Sequence, residues 1–258
     1  MEFIKGMTKI RSLIILIFSI VLFVGCAGKI PVANMTLEER FNLGMEYLEK
    51  EKYFNAQQEF QTIVISGSYT ELGDDAQFYL AESYFKNKEY ILAISEYERL
   101  TRNMKYSEYV EKARWRICEA YVAESPEYYR DQENTDKALQ KLQEFIDEYP
   151  NSEYNDKAKK TIHELRNKLA QKIYHTGELY IKLRAWDSAL IAFNDLLTNY
   201  YDTDLIEETH VEMVHIYILM NDTEQAKKYI KLNSDKIVSS EAKQKIQTYL
   251  SSIKNKTK

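Results

Sequence analysis

Four histidines, His163, His175, His210 and His215, are the side chains best suited to acid–base or metal chemistry near neutral pH. His210 and His215 stand five residues apart, which turns them to different helix faces, whereas a zinc pair on one helix needs a spacing of four. All four read as surface positions on helices. Neither Cys26 nor Cys118 belongs to a Cys/His pair with triad partners, and no glycine-rich phosphate loop or strained serine elbow occurs. The carboxylate pairs Glu38-Glu39 and Glu207-Glu208 fall where helices should begin, and there they complement the dipole. The chain therefore reads as non-enzymatic, with no cofactor and no metal site. Binding is the chemistry left to it.

One covalent step is suggested, at Cys26. Lys5, Lys9 and Arg11 precede an apolar run from Leu13 to Val24, broken only by Ser19. The run is shorter than the about 20 residues of a spanning helix and suits the core of a secretory signal. It ends in Leu22-Phe23-Val24-Gly25-Cys26, which resembles the bacterial lipoprotein processing box, although Phe23 stands where leucine is commonest. The resemblance implies lipidation of the Cys26 thiol. Ala27 is not the aspartate that retains many lipoproteins at the inner membrane, so the expected location is the outer membrane, lipid-anchored on its periplasmic face. A plain signal peptide cleaved elsewhere and an uncleaved anchor are the alternatives, and Met7 would also begin a competent signal.

With Cys26 acylated, Cys118 has no partner for a disulfide and reads as a small buried apolar residue. Loss of residues 1–25 removes Lys5, Lys9, Arg11 and Glu2, a net +2, and takes the charge from −5 to −7. An acidic chain without a basic stripe speaks against nucleic acid and against broad adhesion to anionic lipid.

The elements that would position any binding residue are helices. Only 7 glycines and 3 prolines occur in 258 residues, and apolar residues recur at helical spacing, as in Phe78, Ala81, Tyr84 and Phe85. A tyrosine returns at Tyr47, Tyr84, Tyr121, Tyr180 and Tyr217, in steps of 37, 37, 59 and 37. An alanine follows nine residues later at Ala56, Ala93, Ala189 and Ala226, and is delayed to Ala138 in the middle unit. A small residue precedes each tyrosine by three (Gly44, Ala81, Cys118, Gly177, and weakly Val214). A large apolar one follows each alanine by four (Phe60, Tyr97, Leu142, Phe193, Ile230). Such a period means one helical hairpin stacked on itself, with a small residue where the helices cross closely. The fold class is therefore all-α, an α-solenoid of about five helix pairs.

An excess of eight residues in repeat three places a loop at Ser125–Gln132, and the stretch from about Glu153 to Leu183 reads as one long helix leading into repeat four. The expected organisation is a signal over 1–25, an anchored linker over 26–35, repeats one to three over 36–150, the long helix with repeats four and five over 151–250, and a polar tail over 251–258. Stacked hairpins present their first helices along a concave face. Phe41, Met45, Leu48, Phe78, Glu82 and Phe85 should point there, either as a groove for an extended, aromatic-bearing peptide or as packing against the second helices.

The unit with a small residue, tyrosine at +3, alanine at +12 and an aromatic at +16 is similar to the tetratricopeptide repeat. Together with the processing box, the Arg130-Asp131-Gln132 run and the long helix around Glu164–Ala170, the chain resembles the BamD-type lipoproteins of outer-membrane β-barrel assembly. The resemblance spans about residues 36–235. It implies a scaffold whose N-terminal repeats engage unfolded β-barrel substrates and whose C-terminal repeats dock on periplasmic domains of the barrel-forming assembly protein. The groove would then be the residues around Phe41, Phe78 and Phe85, and the docking residues would be Arg130, Trp186 and Phe193. Many relatives place Asn-Arg just before the repeat-four aromatic, where this chain has Ile191-Ala192, so a docking ion pair there gives way to another contact or another partner. A different periplasmic repeat lipoprotein, acting in envelope division or polysaccharide export, is the alternative.

Overall fold

Thr36 begins the first helix with a reciprocal cap: its hydroxyl accepts from the Glu39 N–H at 3.2 Å, and its own N–H donates to the Glu39 carboxylate at 2.8 Å. In the computed structural model, which describes residues 35–67 and 70–254, eleven helices follow one another and no strand occurs among the described residues. They are α1 (Leu37–Glu49), α2 (Tyr53–Gly67), α3 (Gly73–Lys86), α4 (Tyr90–Asn103), α5 (Val110–Glu124), α6 (Glu133–Glu148), α7 (Asn155–Lys182), α8 (Trp186–Asn199), α9 (Ile206–Leu219), α10 (Thr223–Leu232) and α11 (Ser240–Lys254). Cys26, the signal segment and nearly all of the expected linker lie outside the described residues. The chain divides into two compact units between Ala76 and Gln77, within α3.

The tyrosine period coincides with a repeated backbone turn. The carbonyls of Tyr47, Tyr84, Tyr180 and Tyr217 each accept the N–H five residues on, from Lys52, Glu89, Ala185 and Asp222, at 2.8 to 2.9 Å. The residue just before each donor is left-handed: Glu51 at φ 57°, Lys88 at 62°, Arg184 at 59° and Asn221 at 60°. This is the Schellman termination, closing the first helix of a hairpin with a residue that is not glycine. The donor's carbonyl then receives the N–H of the periodic alanine, Ala56, Ala93, Ala189 or Ala226, and so starts the second helix at once. Tyr121 departs from this, because Ser125 is extended (φ −68°, ψ 115°) and leads into the insert.

Helix crossing explains the small residues. A Cβ on Gly177 would stand 2.5 Å from two ring carbons of Phe193, and one on Gly44 would stand 2.8 Å from the Phe60 ring. Phe60, Phe193 and all five periodic alanines are fully buried. In the second unit the core runs as four linked clusters that share helices: Phe78, Tyr97 and Ile117; Trp115, Leu142 and Leu165; Tyr174, Phe193 and Ile216; Val214, Ala226 and Ile246. Within the second unit each helix pair buries its apolar face against the next, the packing expected of an α-solenoid.

Helix α7, 28 residues long, also carries the insert. Lys168 Nζ donates to the Ser125 hydroxyl at 2.9 Å, and Lys172 Nζ donates to the Arg130 carbonyl at 2.8 Å. Inside the loop, the Gln132 amide donates to the carbonyls of Glu127 (2.8 Å) and Arg130 (3.0 Å).

Gly177→Ala should lower the urea midpoint, because overpacking costs about 1–3 kcal/mol and the helix-propensity gain returns only about 1 kcal/mol. Adding Phe193→Leu should recover most of the loss; an unchanged midpoint for Gly177→Ala would mean the helices do not cross this closely. Lys88→Gly should instead stabilise by about 0.5 kcal/mol, since a left-handed non-glycine residue costs about 1–2 kcal/mol and glycine's added chain entropy takes back part of that. Lys88→Ala, retaining the Cβ, should leave the midpoint where it is.

Candidate functional site

Arg116 on α5 is the centre of an ionic network in the second unit. Its Nε and Nη2 donate to the two oxygens of Glu82 on α3, at 2.7 and 3.1 Å, a bidentate pair. Tyr97 on α4 donates its hydroxyl to the same Glu82 carboxylate, whose side chain is only 7% exposed. Burial first, and then the Glu82 charge, push the Tyr97 hydroxyl far above its ordinary range, so it remains a donor. The third guanidinium nitrogen, Nη1, donates to Glu119 at 2.7 Å, and Lys157 Nζ at the start of α7 donates to the other Glu119 oxygen at 2.6 Å. Burial alone would raise the Glu119 carboxyl, but the bonds from Lys157 and Arg116 outweigh it and hold the group below the usual carboxylate range.

Both cations also sit over aromatic faces, Arg116 at 5.0 Å from the Phe85 ring centre and Lys157 at 5.2 Å from that of Trp115. Trp115 is held flat against Tyr154, 5.1 Å between ring centres and 4° between planes. Phe85, Trp115, Arg116, Glu119 and Lys157, with Val122, Ala123, Leu142 and Thr161, line a cleft of about 320 Å³. The cleft thus joins apolar walls to a charge-balanced ion cluster at one end.

The expected groove residues fall in both units. In the first, Phe41, Met45 and Leu48 lie half-buried along α1, and Phe41 meets Phe60 edge-on at 5.6 Å. In the second, Phe78 is fully buried and stacks on Tyr109 at 4.5 Å, Glu82 is buried under Arg116, and Phe85 reaches the cleft. Arg116, Glu119, Trp115 and Lys157 were not among the expected residues. Arg116 and Glu119 form an i,i+3 pair that the sequence does display, whereas nothing local links them to Lys157, 38 residues beyond Glu119.

Among the docking candidates, Arg130 is exposed on the insert, Trp186 is half-buried at the start of α8, and Phe193 is fully buried against Gly177. A second groove of about 560 Å³ lies beside them, between Lys172, Ile173, Thr176 and Tyr180 of α7 and Ser188, Ile191, Ala192 and Asp195 of α8. Ile191 is 70% exposed on its rim. The histidines split: His163 and His175 are on the surface as expected, but His210 is buried and His215 half-buried. His210 Nδ1 lies 2.7 Å from the Tyr229 hydroxyl, and burial pushes its imidazole below its ordinary value. His215 stacks on Tyr249, 4.1 Å between ring centres. Both serve packing. Glu207 likewise does more than start a helix, since its carboxylate accepts the N–H groups of Val238 (2.6 Å) and Ser239 (2.7 Å) ahead of α11.

Among known proteins, the YfiO family, described as outer membrane lipoprotein, matches residues 33–232. The outer membrane protein assembly factor BamD of Vibrio cholerae serotype O1 is 28% identical over 107 residues, 40% of this chain and 44% of that protein. The matched stretch therefore spans less than half the length of that relative. Among solved structures, a thermophilic tetratricopeptide-repeat protein of Thermus thermophilus is 16% identical at a TM-score of 0.33, covering 83% of this chain and 99% of that one. MamA of AMB-1 is also 16% identical at 0.33, with 80% and 94% covered. Because the family match takes in well over half of the sequence, this chain belongs to the YfiO family of outer membrane lipoproteins.

Proposed function

We propose that this chain is a non-enzymatic scaffold of outer-membrane protein assembly, held at the periplasmic face of the outer membrane by lipid on Cys26. Repeats one to three bind segments of unfolded β-barrel proteins, and repeats four and five dock on the periplasmic domains of the barrel-forming assembly protein. The observation that carries this reading is the family match over residues 33–232, which takes in the insert, the long helix and all five hairpins. The name of the Vibrio relative, an outer membrane protein assembly factor, points the same way.

The surfaces fit the two tasks. Phe41, Met45 and Leu48 on α1 are partly open to solvent, as is Phe85 at the α3–α5 cleft, with Phe78 buried behind it and Glu82 orienting Arg116. In the C-terminal half, the α7–α8 groove offers Ile191 and Tyr180 between Lys172 and Asp195, while Trp186 and Phe193 belong to the same helix α8 without lining it. Ile191-Ala192 makes this an apolar contact, so affinity there comes from buried area more than from an ion pair. Lipidation complements both, since one acyl chain binds a bilayer only marginally and a multiply acylated cysteine holds firmly.

Pull-down from a detergent extract with the full, lipid-bearing chain should recover the barrel-forming protein. Ile191→Glu should reduce that recovery about tenfold, because docking would bury an unpaired charge, while leaving the thermal melt unchanged at so exposed a position. Recovery insensitive to Ile191→Glu would move docking away from α8. Recovery of no barrel protein by the unaltered chain would sink the assembly reading itself.

A further inference from the structure

Helix α9 holds the last two helices by two side chains that can titrate. His210, only 6% exposed, sets Nδ1 2.7 Å from the Tyr229 hydroxyl on α10, with 5.8 Å between the ring centres. The Tyr229 ring packs against the clusters around Ile216 and around Val214, so α10 is seated on α9 through it. One turn before His210, the Glu207 carboxylate accepts the N–H groups of Val238 (2.6 Å) and Ser239 (2.7 Å) in the linker between α10 and α11. Few charges face the imidazole. Lys236 and Asp235 in that linker act on it in opposite senses, Lys236 the more strongly. Helix α8 meets α9 through Phe193, Leu196 and Leu197. Helix α11 directs Lys245 to Glu208 at 3.3 Å and stacks Tyr249 on His215. Among the described residues no carboxylate is bonded to the His210 ring. Burial, and then Lys236, hold the imidazole below its ordinary value, while burial pushes the Tyr229 hydroxyl above its own range. Near neutral pH the pair is an uncharged ring and an intact hydroxyl.

We propose that His210 is an acid-sensitive catch for the end of the solenoid: the neutral ring, with its proton on Nε2, accepts the Tyr229 O–H at Nδ1, and on protonation it loosens α10 and α11 while α3–α6 stay closed. A protonated imidazole donates from both nitrogens, so Tyr229 must turn its O–H away and that donor loses its acceptor in a packed site. The direction follows from the ring's surroundings. The folded ring takes a proton less readily than the unfolded one, so the catch is fully closed above about pH 6.5 and gives way as acid carries the ring through its lower folded value. Glu207 does not open in the same window, because the Ser239 N–H above all holds its carboxyl below the usual carboxylate range. A terminal hairpin has a neighbour on one side only, so it can open without unzipping the hairpins before it.

Amide hydrogen exchange of the full chain, corrected for intrinsic rates, tests this at about pH 7.5 and about pH 5.5. In acid, α10 and α11 should lose protection about fivefold, the worth of one hydrogen bond, while α3–α6 keep theirs. His210→Asn, which sets a non-titrating acceptor near the place of Nδ1, should abolish the difference between the two pH values. Tyr229→Phe, which removes the hydroxyl and keeps the ring, should remove most of it. Nitrogen-15 spectra of the unaltered chain should show Nδ1 of His210 without a proton at the higher pH and the ring protonating at a lower pH than free histidine. Equal protection of α10 and α11 at both pH values would overturn the proposal, as would an acid response that survives in both variants. Loosening spread evenly over all helices would overturn it too. Where a variant does not fold, the spectra decide, and a proton on Nδ1 at the higher pH sinks the catch. None of these outcomes touches the assembly reading, whose docking groove lies on α7 and α8.

Discussion

The close crossing of the two helices in each hairpin is the contact on which the rest depends. Where Gly177 passes under Phe193 and Gly44 under Phe60, no Cβ fits unless the ring moves. Protein interiors are packed tightly enough that such a contact sets the interhelical distance to within a few tenths of an ångström. The left-handed residues at 51, 88, 184 and 221 then turn the chain back at the same point of four of the five hairpins. Crossing and turn together fix the register, so that residues one repeat apart take equivalent places. Phe85 and Val122, each just after its periodic tyrosine, both line the one cleft.

Register also organises the charges. The residue two before each tyrosine is Met45, Glu82, Glu119, Glu178 or His215, and the residue three before that is Asn42, Tyr79, Arg116, His175 or Glu212. In the last three units these positions pair with each other: Arg116 with Glu119 at 2.7 Å, His175 with Glu178 at 2.7 Å, and Glu212 with His215 at 3.1 Å. In the last pair the carboxylate comes first. One backbone geometry thus presents a polar pair at successive steps, and the side chains decide its chemistry.

Much of this architecture was legible because it is local and repeated. The tyrosine and alanine periods, the small-to-bulky crossing, the insert and the long helix are statements about spacing within about 40 residues, the length of one two-helix repeat. The left-handed turns were not legible: Glu51, Lys88, Arg184 and Asn221 share no side-chain chemistry, and the usual glycine signal is missing, although each stands four after its tyrosine. His210 and His215 were misjudged as surface residues because α9 is apolar nearly all round, with Val211, Met213, Val214 and Ile216 buried on several faces. The cleft was half legible. Phe85 could be assigned to it from its repeat position, with Glu82 behind Arg116, but Lys157 joins only through tertiary folding.

Glu82 and Glu119 show how one repeat position acquires two different energetic roles. Glu82 has lost nearly all contact with water and is satisfied by Tyr97 and by two bonds from Arg116. Burying such a pair costs several kcal/mol per ion before attraction offsets it, so the pair is better understood as an orienting device than as a source of stability. What it orients is a guanidinium with two of its edges used and Nη1 directed at Glu119. Glu119, one repeat later and more exposed, faces the same cation without being enclosed by it. Bonds on a partly solvated carboxylate are screened by water, whereas those on the enclosed Glu82 are not. The enclosed pair behind and the more open pair in front therefore follow from a single difference, the depth at which the repeat sets each glutamate.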